Sequence, residues 1–322
     1  MKTEIFIGKL KLQNPVMVAS GTFGYGEEYN RLYPVDRLGA IVTKSISLKP
    51  RSGNPAPRIY ETASGMLNAI GLQNVGADAF LKEKTPFLNS LKKAKVIVNL
   101  AGESIEEYVE LARRMERVSA VDGIELNISC PNCERGGIEF GVDPALTAQV
   151  VGRVRKVTRK PLIVKLSPNV TQIVTIARAA VDVGADALSL INTVLATAVD
   201  IRTWKPRIAT VTGGLSGPAV KPIALRMVLQ VHRALPKVPL IGIGGVTTWE
   251  DAAEFLLCGA SAVQVGTANY VNPKAPLQII DGLSRYLQEK KLKSPAELVG
   301  KLQLPGQWRG VPQVISGERR KK

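Results

Sequence analysis

Two hydrophobic periods alternate along the chain. Short runs rich in Val, Ile and Leu recur as PVMVAS (15–20), AIVTK (40–44), KVIVNL (95–100), GIELN (123–127), LIVKL (162–166), ALSLI (187–191), PLIGIGG (239–245) and SAVQVG (261–266). Runs of this length and composition predict strands buried on both faces. Between them lie stretches of helical period: ESIEEYVELARRMERV, DPALTAQVVGRVRKVT, VTQIVTIARAAVDVGA, AVKPIALRMVLQVHRAL and TWEDAAEFLLCGA. Gly-Ala closes two of these helical stretches, a stop signal before the next strand. Eight strands alternating with helices predict an α/β fold, a (β/α)8 TIM barrel, with a doubly wound sheet as the competing arrangement.

Two connections interrupt this rhythm, from Ser45 to about Ala77 and from Asn192 to about Pro218. Both are rich in Gly, Pro, Asn and Thr and read as long active-site loop insertions. Residues 1–302 are expected to form one barrel domain. The remainder, 303–322, reads QLPGQWRGVPQVISGERRKK and is expected to be a flexible basic extension.

Composition narrows the chemistry. The chain has 322 residues, 45% of them apolar and only 5% aromatic, which suits a core of small aliphatic side chains. Its one histidine, His232, excludes a two- or three-histidine metal site, and its helical setting does not suit a Ser-His-Asp triad. No metal site is expected. The three cysteines are too few for a disulfide framework or a four-cysteine iron–sulfur cluster, and suit a reducing compartment. The start, MKTEIFIGKL, lacks a signal-peptide core, and no run approaches the ~18 apolar residues of a membrane span, so a cytoplasmic protein is expected. The net charge, 43 − 27 = +16, fits nucleic acid, an anionic ligand or an acidic partner equally well.

In a parallel barrel the chemistry lies at the C-terminal strand ends. Those positions read Ser20-Gly21, Lys44-Ser45, Asn99, Asn127, Lys165, Asn192-Thr193, Gly244-Gly245 and Gly266-Thr267. Two lysines and three asparagines on one face are not what a core requires; they predict a polar site. Small residues after the last two strands suit a phosphate, because backbone N–H groups can approach it closely. Cys130 follows the fourth strand by three residues, and a thiol there could act as base or nucleophile if its pKa falls below about 8.5. Its CxxC spacing with Cys133 lacks the helix of a thioredoxin motif and the second CxxC of a zinc site. Cys258, in AAEFLLCGA, reads as core.

NISCPN followed by GGIEFGVDP resembles the class 1 dihydroorotate dehydrogenases, and most closely the NAD-linked class 1B. So do GNPAPRIYETASGMLNAIGLQN (53–74), VTKSIS (42–47), IVKLSPN (163–169), INTV (191–194), TGGLSGPAVKP (212–222) and IGIGGV (241–246). The resemblance runs from Leu10 to about Lys301. It implies an FMN-containing barrel that oxidises dihydroorotate to orotate in pyrimidine biosynthesis. Cys130 would be the base, and Lys44, Asn68, Ala69, Ile70, Gly71, Leu72, Asn127, Asn192 and Thr193 would hold the substrate. FMN would lie against Ser20, Gly21, Lys44, Ser45, Asn99, Asn127 and Lys165. Its ribityl phosphate end would lie among Ile191, Gly217, Gly244, Gly245, Gly266 and Thr267. The sequence has no GxGxxG opening a βαβ unit. The class 1B resemblance therefore implies that electrons reach NAD+ through a second subunit carrying FAD and a [2Fe–2S] cluster. The expected assembly is a heterotetramer built on a homodimer of this chain, with no nucleic-acid or membrane partner.

Three positions depart from the family pattern without touching that chemistry: Cys133, Val75 after NAIGLQN, and Trp204 where a basic residue is usual. The alternatives are a fumarate-linked class 1 enzyme, a tRNA dihydrouridine synthase-like flavoprotein, or a Schiff-base aldolase using Lys165 or Lys44. The second predicts an appended helical RNA-binding domain and a different cysteine motif, and the third predicts a colourless protein. Dihydropyrimidine dehydrogenase carries His after Cys-Pro, where this chain has Asn132.

Overall fold

The computed structural model describes residues 3–129, 131–132 and 138–305, without the side chains of 131, 132 and 138. Eight parallel strands close into a barrel: β1 (Val16–Val18), β2 (Ala40–Val42), β3 (Lys95–Leu100), β4 (Gly123–Asn127), β5 (Leu162–Leu166), β6 (Ala187–Leu190), β7 (Leu240–Ile243) and β8 (Ala262–Val265). Each pairs with its sequence neighbours, and β8 closes onto β1 through Val263 opposite Val16. The predicted barrel is therefore the fold, and the doubly wound sheet is not.

Helices surround the barrel: α1 (Ile105–Glu116), α2 (Pro144–Arg155), α3 (Ile173–Val181), α4 (Lys221–Ala234), α5 (Trp249–Leu257) and α6 (Ala275–Glu289). Their starts are chemically marked. Ser104 accepts from Glu107 N–H at 3.3 Å, and Asp143 accepts from Leu146 N–H at 2.8 Å with Pro144 following. Thr248 and Asp251 cap each other's backbone at the start of α5, satisfying two donors that the helix leaves open. The apolar faces of these helices pack on the outside of the strands as one continuous core.

Two features were not in the sequence pattern. An antiparallel hairpin, Ile5–Ile7 with Leu10–Leu12, lies at the N-terminal end of the barrel. Its Ile5, Ile7, Leu10 and Leu12 pack with Met17, Ile97, Ile163 and Ile241 in one buried cluster. The two insertions, read as loops, instead pair with each other. Ile59–Thr62, Gly65–Asn68, Thr212–Ser216 and Val194–Thr197 form a four-stranded antiparallel sheet, with Asn68 opposite Gly214. The two central strands, GMLN and TGGLS, carry Gly, Asn and Ser rather than β-branched runs, so no hydrophobic period announced them. Among the described residues no helix is long and apolar enough to cross a membrane.

Candidate active site

A cavity of about 720 Å³ opens at the C-terminal ends of the strands, within the size range of small-molecule sites. Ser20 and Gly21 enter it after β1, Lys44 and Ser45 after β2, Asn127 from β4 and Lys165 from β5. Ile191, Asn192 and Thr193 follow β6, Gly244 and Gly245 follow β7, and Gly266 and Thr267 follow β8. The insertions bring in Asn68, Ala69, Ile70, Gly71, Leu72 and Gly217. Asn99 does not reach the wall. It is fully buried behind Ser45, whose Oγ donates to Asn99 Oδ1 at 2.6 Å. Cys130 and Cys133 lie outside the described residues. Cys258 is buried in the helical shell, and burial pushes its thiol up to about 11. His232 sits in the last turn of α4 and does not line the cavity.

The amides form a connected set. Asn192 Nδ2 donates to Asn127 Oδ1 at 3.2 Å and to Ser129 Oγ at 3.0 Å. Its Oδ1 accepts from Thr193 N–H at 3.0 Å, which fixes the amide orientation. Asn68 Nδ2 donates to Gly214 O at 3.2 Å, tying one insertion to the other. Thr267 Oγ1 donates to Ser216 Oγ at 2.7 Å, linking the end of β8 to the same sheet.

Two ammonium groups face this neutral array. Lys165 is 6% exposed, and neither it nor Lys44 has a hydrogen-bond or ion-pair partner among the described residues. Burial pulls the Lys165 pKa down, against the opposing pull of Glu125. Burial and then the nearby Arg58 likewise lower Lys44, against Glu28. Desolvated ammonium groups that no side chain among the described residues bonds directly are free to bond an anionic ligand, and such a bond would be charge-assisted.

Glycine is required at the turn after β7. Gly244 and Gly245 have φ of +119° and +72°, and a Cβ on Gly245 would come 2.7 Å from Lys221 Cβ and 2.9 Å from Gly217 O. Only glycine lets this turn pack so closely while leaving the backbone on the cavity wall.

Sequence reasoning missed several wall residues. Ser129 bonds Asn192 and stands directly before Cys130. Asn169 donates to Thr193 O at 3.2 Å and accepts from Leu195 N–H at 2.9 Å, so it fixes the strand that follows Thr193. Its place in the quoted IVKLSPN run was the available signal. Glu139 also lines the cavity; burial raises its pKa, partly offset by Ser167, and its Oε2 has no partner among the described residues. No spacing in the sequence pointed to it.

A family model described as dihydroorotate dehydrogenase matches residues 2–287. The chain is 58% identical over 294 residues to the dihydroorotate dehydrogenase B (NAD(+)), catalytic subunit, of Pelobacter propionicus, covering 91% of this chain and 96% of that protein. Its identity to the protein of the same description from Geotalea uraniireducens is 56% over 299 residues, covering 93% and 97%. That from Geobacter sulfurreducens is 56% identical over 301 residues, covering 94% and 98%. With a parallel barrel, a cavity at its C-terminal rim and this extent of identity, the chain belongs to the dihydroorotate dehydrogenase family.

Proposed function

We propose that the chain is the catalytic subunit of an NAD+-linked dihydroorotate dehydrogenase. It oxidises (S)-dihydroorotate to orotate in de novo pyrimidine biosynthesis. The observation that carries this reading is the pair of lysines, Lys44 and Lys165, that no group among the described residues bonds directly, facing the Asn68, Asn127 and Asn192 amides in one cavity.

The residues present fit FMN. The buried ammonium of Lys165, which makes no direct hydrogen bond or ion pair among the described residues, suits the flavin ring system, whose charge becomes negative on reduction. The glycine turn at Gly244 and Gly245, with Gly217, Gly266 and Thr267 beside it, suits a phosphate. Ser20, Gly21, Ser45 and Ile191 would complete the cofactor wall, with Asn99 holding Ser45 from behind. When bound, FMN would accept the hydride from C6 of dihydroorotate.

The chain's own residues would do the rest. Lys44 would neutralise and orient the substrate carboxylate. Asn68, Asn127, Asn192 and Thr193 would bind the ring amides, and the 69–72 backbone would close over them. Cys130 would take the C5 proton, a task that suits a thiol tuned near neutral pH. The Ser129–Asn192–Asn127 bonds support this by fixing the chain immediately before it.

The electrons would leave to NAD+ through a partner carrying FAD and a [2Fe–2S] cluster, in a cytoplasmic heterotetramer around a homodimer of this chain. Residues 1–302 form the catalytic unit in this reading, supported by Leu302 N–H donating to Leu257 O at 3.1 Å, and 303–322 extend from it. The test is stopped-flow mixing of the yellow protein with dihydroorotate, followed by an acceptor screen with and without the partner. Bleaching of the flavin, with NAD+ reduced only when the partner is present, is expected. A colourless protein that cannot be reconstituted with FMN refutes the reading, and turnover with fumarate alone assigns the fumarate-linked reaction instead.

A further inference from the structure

The barrel interior holds a carboxylate that the reaction above does not use. Glu125, on β4, is fully buried. It accepts from Asn99 Nδ2 at 2.7 Å, Ser189 Oγ at 2.8 Å and Gln264 Nε2 at 2.8 Å. Those donors come from β3, β6 and β8, so the group spans the barrel. The amide orientations are fixed from outside the cluster at Asn99, whose Oδ1 accepts from Ser45 and whose Nδ2 must then face the carboxylate. Nearer the hairpin, the interior is filled by Met17, Ile97, Ile163 and Ile241.

Three neutral donors satisfy the lone pairs of a carboxylate but do not balance its charge, and an unbalanced buried charge is costly. The balancing cation is Lys165. Its registered neighbours are Asn127 on β4 and Ser189 on β6. Glu125 lies two residues before Asn127 on the same strand face, and the Ser189 hydroxyl bonds it. Asn127, Ser189, Asn99 and Gln264 are all neutral, which leaves Glu125 as the charge facing Lys165 across these strands. Lys165 in turn shows its ammonium to the cavity.

We propose that Glu125 is a positioning residue for the flavin site: its buried carboxylate keeps Lys165 charged and in place, and so sets how strongly the site stabilises reduced flavin. The inference deepens the FMN reading and rests on it. The same carboxylate also orients the wall from the other side, through Asn99 to Ser45, whose Oγ lies 3.4 Å from Ser20 Oγ.

Two measurements on the full chain test this. The first follows the 13Cε signal of Lys165, assigned by its loss in Lys165→Met, in FMN-free protein at pH 7. The lysine is expected to be charged in the wild type and neutral in Glu125→Gln. The second equilibrates FMN-loaded protein with a redox dye. Glu125→Gln is expected to lower the ratio of reduced to oxidised flavin at least tenfold, about 30 mV for a two-electron couple. The double variant Glu125→Gln/Gln264→Glu keeps the pair bonded and moves the charge by one side chain. It is expected to restore a charged Lys165 and to bring the ratio within about threefold of the wild type, a residual of about 14 mV on the same scale.

A neutral Lys165 in the wild type overturns the proposal even if Glu125→Gln fails to fold. An unchanged lysine signal and flavin ratio in a folded Glu125→Gln also overturn it, by reducing Glu125 to a packing role. If the wild type takes up no FMN, the functional reading fails by itself, and the lysine signal still decides whether Glu125 holds Lys165 charged.

Discussion

Asp251 anchors the turn that the phosphate reading depends on. It is 8% exposed, at the start of α5, and accepts four bonds from the segment around it. Thr247 N–H lies at 2.8 Å, Thr247 Oγ1 at 2.6 Å, Thr248 N–H at 2.9 Å and Lys221 Nζ at 2.6 Å. Asp251→Ala removes the capping box, worth about 1 kcal/mol, and strands the part-buried Thr247 N–H at about 1–2 kcal/mol. Lys221 is less affected, because it keeps Glu254 at 3.0 Å. The sum is about 2–3 kcal/mol, read by urea unfolding. Because Thr247 follows the Gly244–Gly245 turn, FMN retention is expected to weaken about tenfold, the equivalent of 1.4 kcal/mol. Acid gives an independent check of sign. Burial pushes the Asp251 carboxyl up, but the bonds from Lys221, Thr247 and Thr248 outweigh it and hold the pKa below the usual range. Its stabilisation is therefore complete above the unfolded value of about 3.9 and is lost as pH falls through the lower folded value. The gap between wild type and Asp251→Asn is expected to close over that interval. A loss under about 0.5 kcal/mol in Asp251→Ala, the scatter of ordinary surface changes, with FMN retention unchanged, would refute the anchoring role.

Three further outcomes are expected. Cys130→Ser slows flavin reduction by dihydroorotate far more than it weakens orotate binding; equal losses, compared by stopped flow and titration, would mean that Cys130 only packs. Lys44→Met weakens orotate binding by about 1.5–3 kcal/mol, the worth of a charge-assisted bond, as read by calorimetry. In the wild type the same affinity is lost as pH rises through the lowered Lys44 pKa, so the decline begins below the ordinary lysine value. Gly282→Ala places a Cβ 2.3 Å from Trp249 Cδ1 and Cγ, and the forced shift of α6 against α5 costs about 1–3 kcal/mol in urea unfolding, with flavin reduction unchanged.

The barrel was legible because burial on both faces leaves a run such as LIVKL or KVIVNL no other use. Those two predicted strands match Leu162–Leu166 and Lys95–Leu100 residue for residue. The cavity wall was legible for a related reason: Lys165 and Asn127 stand at the ends of buried strands, where a polar side chain has to be explained. Legibility stopped where pairing depends on distant partners. Gly65–Asn68 and Thr212–Ser216 become strands only because each supplies the other's ladder, and neither carries a hydrophobic alternation of its own. Asn99 marks a similar limit. Position alone puts it at a strand end, but whether it faces ligand or lies behind Ser45 depends on how far the neighbouring strand extends. Glu125 lay in plain view within GIELN, yet only the closed barrel brings Ser189 and Gln264 to it.

The N-terminal hairpin makes the barrel a vessel with a single mouth. Its four aliphatic side chains stopper the end away from the cavity. Fuel and spent product then share the same rim. Such shared access makes spent product a direct rival of fresh fuel. Added orotate should accordingly slow flavin reduction by dihydroorotate in stopped flow.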